Sequence, residues 1–280
     1  MSVLGAGTMG HGIAQVSAMA GHQVRLRDVE EALVRDGIDA IEANLKGGIE
    51  RDKVTEAEAT ATLGRIEGTT DLEMAIEDAD LVIEAVPEDL DLKREVLTDA
   101  EDHAEDGAVL ATNTSSLSVA AIADALDRPE RAVGLHFFNP VHVMALVEVV
   151  VAEQTDADTL AFAREFVEGI DKAPIEVQDA PGFASSRLGV ALGAEAMRMI
   201  QEGVADPRDI DRAMELGYNH PVGPIELGDV VGLDVRLDIL EYLREELGER
   251  FKPPQVLKRK VRAGKLGKKS GEGFYVWEDG

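Results

Sequence analysis

Short apolar runs closed by turn residues recur along the first two thirds of the chain: SVL before Gly5, QVRLRD (23–28), DLVIEAV (80–86), GAVLATN (107–113), RAVGLHFF (131–138), ALVEVVV (145–151) and PIEVQ (174–178). Their length and β-branched content read as strands. Between them lie segments of helical spacing. GHGIAQVSAMA ends at Gly21, a residue suited to the left-handed position past a helix, and a charged stretch from Ala32 to Glu77 reads as helical throughout. Strands alternating with helices predict an α/β protein with a doubly wound, mainly parallel sheet. From Ala184 the pattern changes. Leu188, Leu192, Met199 and Ile200 recur at helical spacing up to Gly203, with too few polar residues for a free surface helix. An all-helical second part is therefore expected, with the boundary between Asp179 and Gly182, giving domains 1–179 and 180–280. A helix that apolar is buried or forms an interface, so a homodimer is expected.

Composition narrows the function. With 280 residues, 45% of them hydrophobic, the chain can bury a large core. No apolar run is long enough for a bilayer and no basic segment leads into an apolar one at the start, so a cytoplasmic location is expected. Zero cysteines exclude disulfides, thiolate metal sites and a cysteine nucleophile, and the 6 histidines show no paired-ligand spacing, so no metal is expected. The formal net charge is −27, from 55 acidic and 28 basic residues. Such a surface repels nucleic acid and anionic membranes. It also repels itself, and salt relieves that repulsion, a pattern that reads as halophilic adaptation. One stretch runs the other way: Lys258, Arg259, Lys260, Arg262, Lys265, Lys268 and Lys269 are expected to face an anion or an acidic surface of the same protein.

Candidate chemistry collects where the strands end. Gly5-Ala6-Gly7-Thr8-Met9-Gly10 is a GxGxxG turn between a strand and a helix. In that setting the first glycine makes the tight turn, the second admits a pyrophosphate to the backbone, the third allows close packing, and the helix N-terminus supplies amide donors. Asp28 closes the second strand at about the ~20-residue spacing of an acid that binds a ribose 2′-hydroxyl. A carboxylate there repels a 2′-phosphate, so NAD is favoured over NADP, although Arg25 and Arg27 lie close by. The sheet is thus of the Rossmann type. Ligands of such sheets bind outside the carboxyl ends of the strands, where Glu88, Asn113 to Ser116 and His136 also fall. A histidine at that edge can act as a base near neutral pH. The Asn139-Pro140 turn would fold ALVEVVV back beside it, and Glu148, an acid among apolar residues, is least costly if it pairs with His136. His142, the rival base, lies in the turn and is expected to be exposed.

GAGTMGHGIAQ, TNTSSLS, GLHFFNPVHVMALVEVV, DAPGF, GYNHPVGPIELGDVVGLD and LGKKSGEGFYVW, taken in order, resemble the L-3-hydroxyacyl-CoA dehydrogenase family, including its 3-hydroxybutyryl-CoA dehydrogenases. The resemblance spans essentially the whole chain. It implies reversible NAD-dependent oxidation of a 3-hydroxyacyl-CoA to the 3-ketoacyl-CoA, on a nucleotide-binding domain followed by a helical dimerisation domain. His136 falls on the catalytic base and Glu148 on its partner. Ser115 and Asn139 fall on positions that bond substrate and nicotinamide; Asp28, Glu88 and Lys93 fall on cofactor contacts. Asn44 and Arg51 or Lys53 lie where the family meets the CoA end of its substrate.

Two departures stand out. PGFASSR places Ser186 where the family has an asparagine near the catalytic pair, and serine's shorter reach calls for a bridging water or a shifted substrate. Only four residues precede Gly5, so the first strand is short and is expected to hold the glycine turn less tightly. Two further readings stand beside the acyl-CoA one: a relative acting on a free hydroxy or sugar acid, as gulonate dehydrogenases do, and an NAD-binding structural protein without turnover.

Overall fold

Eight strands form one sheet in the first part of the chain: β1 (Ser2–Leu4), β2 (Val24–Arg27), β3 (Ile66–Thr69), β4 (Leu81–Glu84), β5 (Val109–Thr112), β6 (Ala132–Phe137), β7 (Leu146–Val151) and β8 (Ala173–Gln178). A computed structural model describes residues 1–277, and the chain divides into two compact units, Met1–Ala180 and Pro181–Gly280. The strand order is β3-β2-β1-β4-β5-β6-β7-β8. All neighbours are parallel except β6 and β7, which run antiparallel. The predicted doubly wound sheet is therefore present, and the strand after the Asn-Pro turn does fold back.

Successive strand residues point to opposite faces, and both faces are covered. Val3, Ile83 and Ala111 pack on one side with α1 (Gly10–Met19), α2 (Glu31–Glu50), α3 (Glu56–Leu63) and, later in the chain, a helix at Ala157–Gly169. Leu4, Val82 and Leu110 pack on the other with α4 (Leu72–Ile76), α5 (Leu90–His103) and α6 (Val119–Ala123). The helix at Ala157–Gly169 is α7.

The stretch from Ala32 to Glu77 is not helical throughout, because β3 lies inside it. This edge strand carries Ile66, Glu67, Gly68 and Thr69, with no apolar alternation to reveal it. Gly68 is there for packing: a Cβ would come within 2.5 Å of Val34 and 2.9 Å of Ile38 on α2. The residues expected after the third, fourth and fifth strands consequently follow β4 and β5 or lie on β6. The short β1 is pinned on both sides and wholly buried. Its flanks add bonds, Gly5 N to the Arg27 carbonyl at 2.8 Å and Ala85 N to that of Leu4 at 2.7 Å, so central pairing compensates for length.

The second unit is helical: α8 (Ser185–Glu202), α9 (Pro207–Tyr218), α10 (Pro224–Val231), α11 (Leu233–Leu247) and α12 (Gln255–Arg262). Val190, Met197, Ile210, Ile225, Leu240 and Leu257 form its core. Leu188 and Leu192 of the predicted stripe point the other way, 71% and 37% exposed. The final segment is held by two buried carboxylates. Asp229 accepts the amides of Phe274 and Tyr275 at 2.9 and 2.8 Å and the Trp277 indole at 3.1 Å, and Asp211 accepts the Tyr275 hydroxyl at 2.6 Å. Three lysines of the basic stretch face acids of the same protein. Lys258 pairs with Glu241 and Lys269 with Asp234, both at 2.6 Å, and Lys265 pairs with Glu272.

Candidate active site

At the end of β1 the chain must turn sharply into α1, and the glycines make this possible. Gly5 has φ +104, and a Cβ on it would sit 2.6 Å from the Ala85 carbonyl oxygen; one on Gly10 would run into the carbonyl of Gly5. A Cβ on Gly7 would meet nothing within 4 Å, so that side of the turn is open. Thr8 and Met9 lead into the first amides of α1. Asp28 is fixed beside the turn, its Oδ2 accepting from Ala6 N at 2.8 Å and its Oδ1 from Val29 N at 2.7 Å. Arg25 and Arg27 donate to the backbone carbonyls of Glu77 and Thr70, and so are not committed to a phosphate. An open glycine turn on a helix N-terminus with a fixed acid at the next strand end fits a dinucleotide without a 2′-phosphate.

The turn after β5 is organised by Glu88. Its Oε1 accepts from the Thr114 hydroxyl at 2.6 Å, Ser115 N at 3.0 Å and Ser116 N at 3.2 Å. Burial would raise the Glu88 pKa, but the Lys93 charge and the bonds from Thr114 and Ser115 outweigh it and hold the carboxyl below its usual range. Lys93 is buried on α5, its ammonium 2.7 Å from Glu84 and 3.3 Å from Glu88. It therefore acts on the crevice through carboxylates. Glu84 was not read as a site residue in sequence, although it too is an acid inside an apolar run, because its partner Lys93 lies on a charged helix rather than on a neighbouring strand.

On β6 and β7 the register places His136 opposite Glu148. His136 Nδ1 lies 2.7 Å from Glu148 Oε2, with the histidine 6% exposed and the glutamate fully buried. A carboxylate at Nδ1 favours the tautomer with its proton there, leaving the basic lone pair of the neutral ring on Nε2. Phe138 lies against the imidazole, centroids 4.5 Å apart. Asn113 Oδ1 accepts from Phe137 N at 2.9 Å and so ties the end of β5 to that of β6. The following loop, with exposed Asn139 and a cis Asn139–Pro140 bond, is held by Lys172, whose ammonium donates to the Val141 and Met144 carbonyls, both at 2.7 Å. Neither tie has a signal in sequence, since both run from distant side chains to backbone.

The remaining candidates are dispersed. His142 is half-buried rather than exposed, and burial, followed by the charges of Arg51, His11 and Lys172, lowers its pKa. Arg51 thus lies in the field of the loop after β6, while Lys53 is exposed in the turn after α2. Asn44 donates to Gln15 Oε1 of α1 at 3.0 Å. Ser186, in the first turn of α8, belongs to the second unit and is half-buried.

Comparison with known proteins gives a consistent picture. Two family profiles match, "3-hydroxyacyl-CoA dehydrogenase, NAD binding domain" over residues 1–180 and "3-hydroxyacyl-CoA dehydrogenase, C-terminal domain" over residues 182–277. A probable 3-hydroxybutyryl-CoA dehydrogenase of Deinococcus radiodurans is 43% identical over 276 residues, 98% of this chain and 99% of that protein. Among solved structures, FadB2 of Mycobacterium tuberculosis superimposes with a TM-score of 0.96 at 43% identity, over 99% of this chain and 98% of that one. The (S)-3-hydroxybutyryl-CoA dehydrogenase PaaH1 of Ralstonia eutropha does so with a TM-score of 0.95 at 39% identity, over 99% and 98%.

Proposed function

The chain belongs to the 3-hydroxyacyl-CoA dehydrogenase family and is an NAD-dependent oxidoreductase; from that premise we propose that it converts (S)-3-hydroxybutyryl-CoA and short relatives reversibly to the 3-ketoacyl-CoA. The observation that carries this reading is the His136–Glu148 pair at 2.7 Å, set at the edge of a sheet whose first turn fits a dinucleotide. His136 is the base: Nε2 takes the 3-hydroxyl proton while Glu148 stabilises the imidazolium that results. When bound, NAD supplies the acceptor for the hydride that leaves C3. Gly5, Gly7, Thr8, Met9 and Gly10 hold the pyrophosphate and Asp28 the ribose. Glu88 and Lys93 shape the adjoining side of the cofactor crevice. Ser115 and Asn139 align the reacting oxygen and the nicotinamide, and Ser186, at the family's asparagine position, is a further candidate for the catalytic set.

Asn44, Arg51 and Lys53 meet the CoA end, where a polyanion approaching a −27 protein needs local cations. The first unit binds cofactor, and the second pairs two copies into a homodimer. Exposed Leu188, Leu216, Val230 and Val231, on three helices of this unit, support an apolar interface. Among the described residues no helix is long and apolar enough to cross a membrane, and the cytoplasm is the proposed location.

The test is NADH production from 3-hydroxybutyryl-CoA beside free 3-hydroxybutyrate, in molar KCl and in dilute buffer. The thioester alone should react. Turnover of the free acid alone would move the assignment to a hydroxy-acid dehydrogenase, and cofactor binding without turnover of either would remove the enzyme reading.

A further inference from the structure

Glu84, the last residue of β4, is completely buried and has no part in the mechanism above. A carboxylate without solvent is costly unless its charge and lone pairs are met. Those of Glu84 are met on both oxygens: Oε1 accepts from the Lys93 ammonium and from Val86 N, each at 2.7 Å, and Oε2 accepts from the Thr112 hydroxyl at 2.6 Å. The Lys93 ammonium also donates to the Val86 carbonyl at 3.2 Å and stands 3.3 Å from Glu88 Oε2. The other oxygen of Glu88 gathers the Thr114 hydroxyl and the amides of Ser115 and Ser116. One chain of contacts thus runs from the ends of β4 and β5, through a single buried ammonium between two carboxylates, to the turn that carries Ser115.

Stability alone is a weak account of this arrangement, since well-packed apolar residues replace buried ion pairs at little cost or with a gain. Position explains it better. Lys93 has a long flexible stem, and Glu88 alone would not fix where its head lies; Glu84, on a central strand, does. We propose that Glu84 is a positioning residue of the active site: through Lys93 it sets Glu88, and through Glu88 it sets the height of the Thr114–Ser116 turn and of the Ser115 hydroxyl. The inference rests on the role given above to Ser115 in aligning the substrate.

The experiment compares Glu84→Gln, Lys93→Met and the double variant as full-length protein, by steady-state kinetics and by amide hydrogen exchange resolved at the 114–117 turn. Glu84→Gln should lower kcat for 3-hydroxybutyryl-CoA about 10-fold or more, with KM and the NADH dissociation constant changed by less than about 3-fold, and should speed exchange of the Ser115 and Ser116 amides. Added to Lys93→Met, the same change should cost less than about 3-fold more, because the path it acts through is already cut. Removing both charges together leaves no lone buried ion, so the double variant keeps its fold. A Glu84→Gln protein with a lower Tm but unchanged kcat and turn exchange would overturn the inference, as would losses that multiply in the double variant. Should the wild type oxidise no acyl-CoA, the fault lies with the proposed function, and exchange at the turn still decides the role of Glu84.

Discussion

His136 sits deep enough that its replacement tests chemistry rather than surface charge. His136→Gln keeps a hydrogen-bonding side chain opposite Glu148 but supplies no base, and kcat is expected to fall by ~10²-fold or more with NADH affinity nearly unchanged. Stopped-flow binding beside steady-state rates separates the two, and retained turnover would remove His136 from the mechanism. Glu88 offers a test by pH. Its carboxyl is depressed in the folded state, so its share of stability is present above the unfolded carboxylate pKa of about 4.3 and is lost as pH falls through the lower folded value. The Tm advantage of wild type over Glu88→Gln should accordingly shrink below about pH 4.5, and a gap that is constant from pH 6 to 3 would refute the coupling to Lys93. The histidine and its acid were legible in the sequence because a strand, a turn and a returning strand with one charged residue leave few partners for that charge. Glu84 was not, and Lys93 was legible only through the family resemblance. The glutamate lies inside an apolar run with no histidine opposite to claim it, and the lysine sits among charged helix residues that look like a solvated face; only packing reveals that both are dry.

Strands and helices were readable wherever burial was two-sided. β4, β5, β6 and β7 are largely apolar runs because helices or neighbouring chain cover both faces of the sheet. β3, at the edge and only half-buried, lacks that imprint. In α11 the core-facing residues are Leu233, Arg236, Leu240 and Leu243, a spacing in which the arginine stands where a fourth apolar residue would. Arg236 is 8% exposed, its Nε has no hydrogen-bond partner, and burial lowers its pKa to about 10. Gly189 on α8 leaves room for the guanidinium, and a Cβ there would come within 3.3 Å of it. Burying a guanidinium with one nitrogen unsatisfied carries a desolvation cost that an apolar side chain of similar reach avoids, so Arg236→Met is expected to gain about 1–4 kcal/mol in chemical denaturation. A loss of stability instead would mean that the guanidinium is bonded in solution.

Across the whole molecule the net charge of −27 dominates, and compactness should depend on the solvent. Raising KCl from dilute buffer to 1 M cuts the Debye length to roughly 3 Å, so Tm and specific activity should both rise over that range. Calorimetry along a KCl series checks this, and a flat profile would reject the adaptation to salt. The fold class was legible at this scale from the order of the apolar runs. The destination of the basic stretch was only half legible, since its acidic partners lie on α11 and beyond the stretch itself. That destination bears on how the end of the chain behaves. The pairs of Lys258 with Glu241, Lys265 with Glu272 and Lys269 with Asp234 are all partly exposed, and the ions that quiet repulsion elsewhere weaken them too. Asp229 and Asp211, both buried, are out of reach of those ions. In brine the tail hangs from those two carboxylates, salt-proof pegs beneath fastenings that brine loosens.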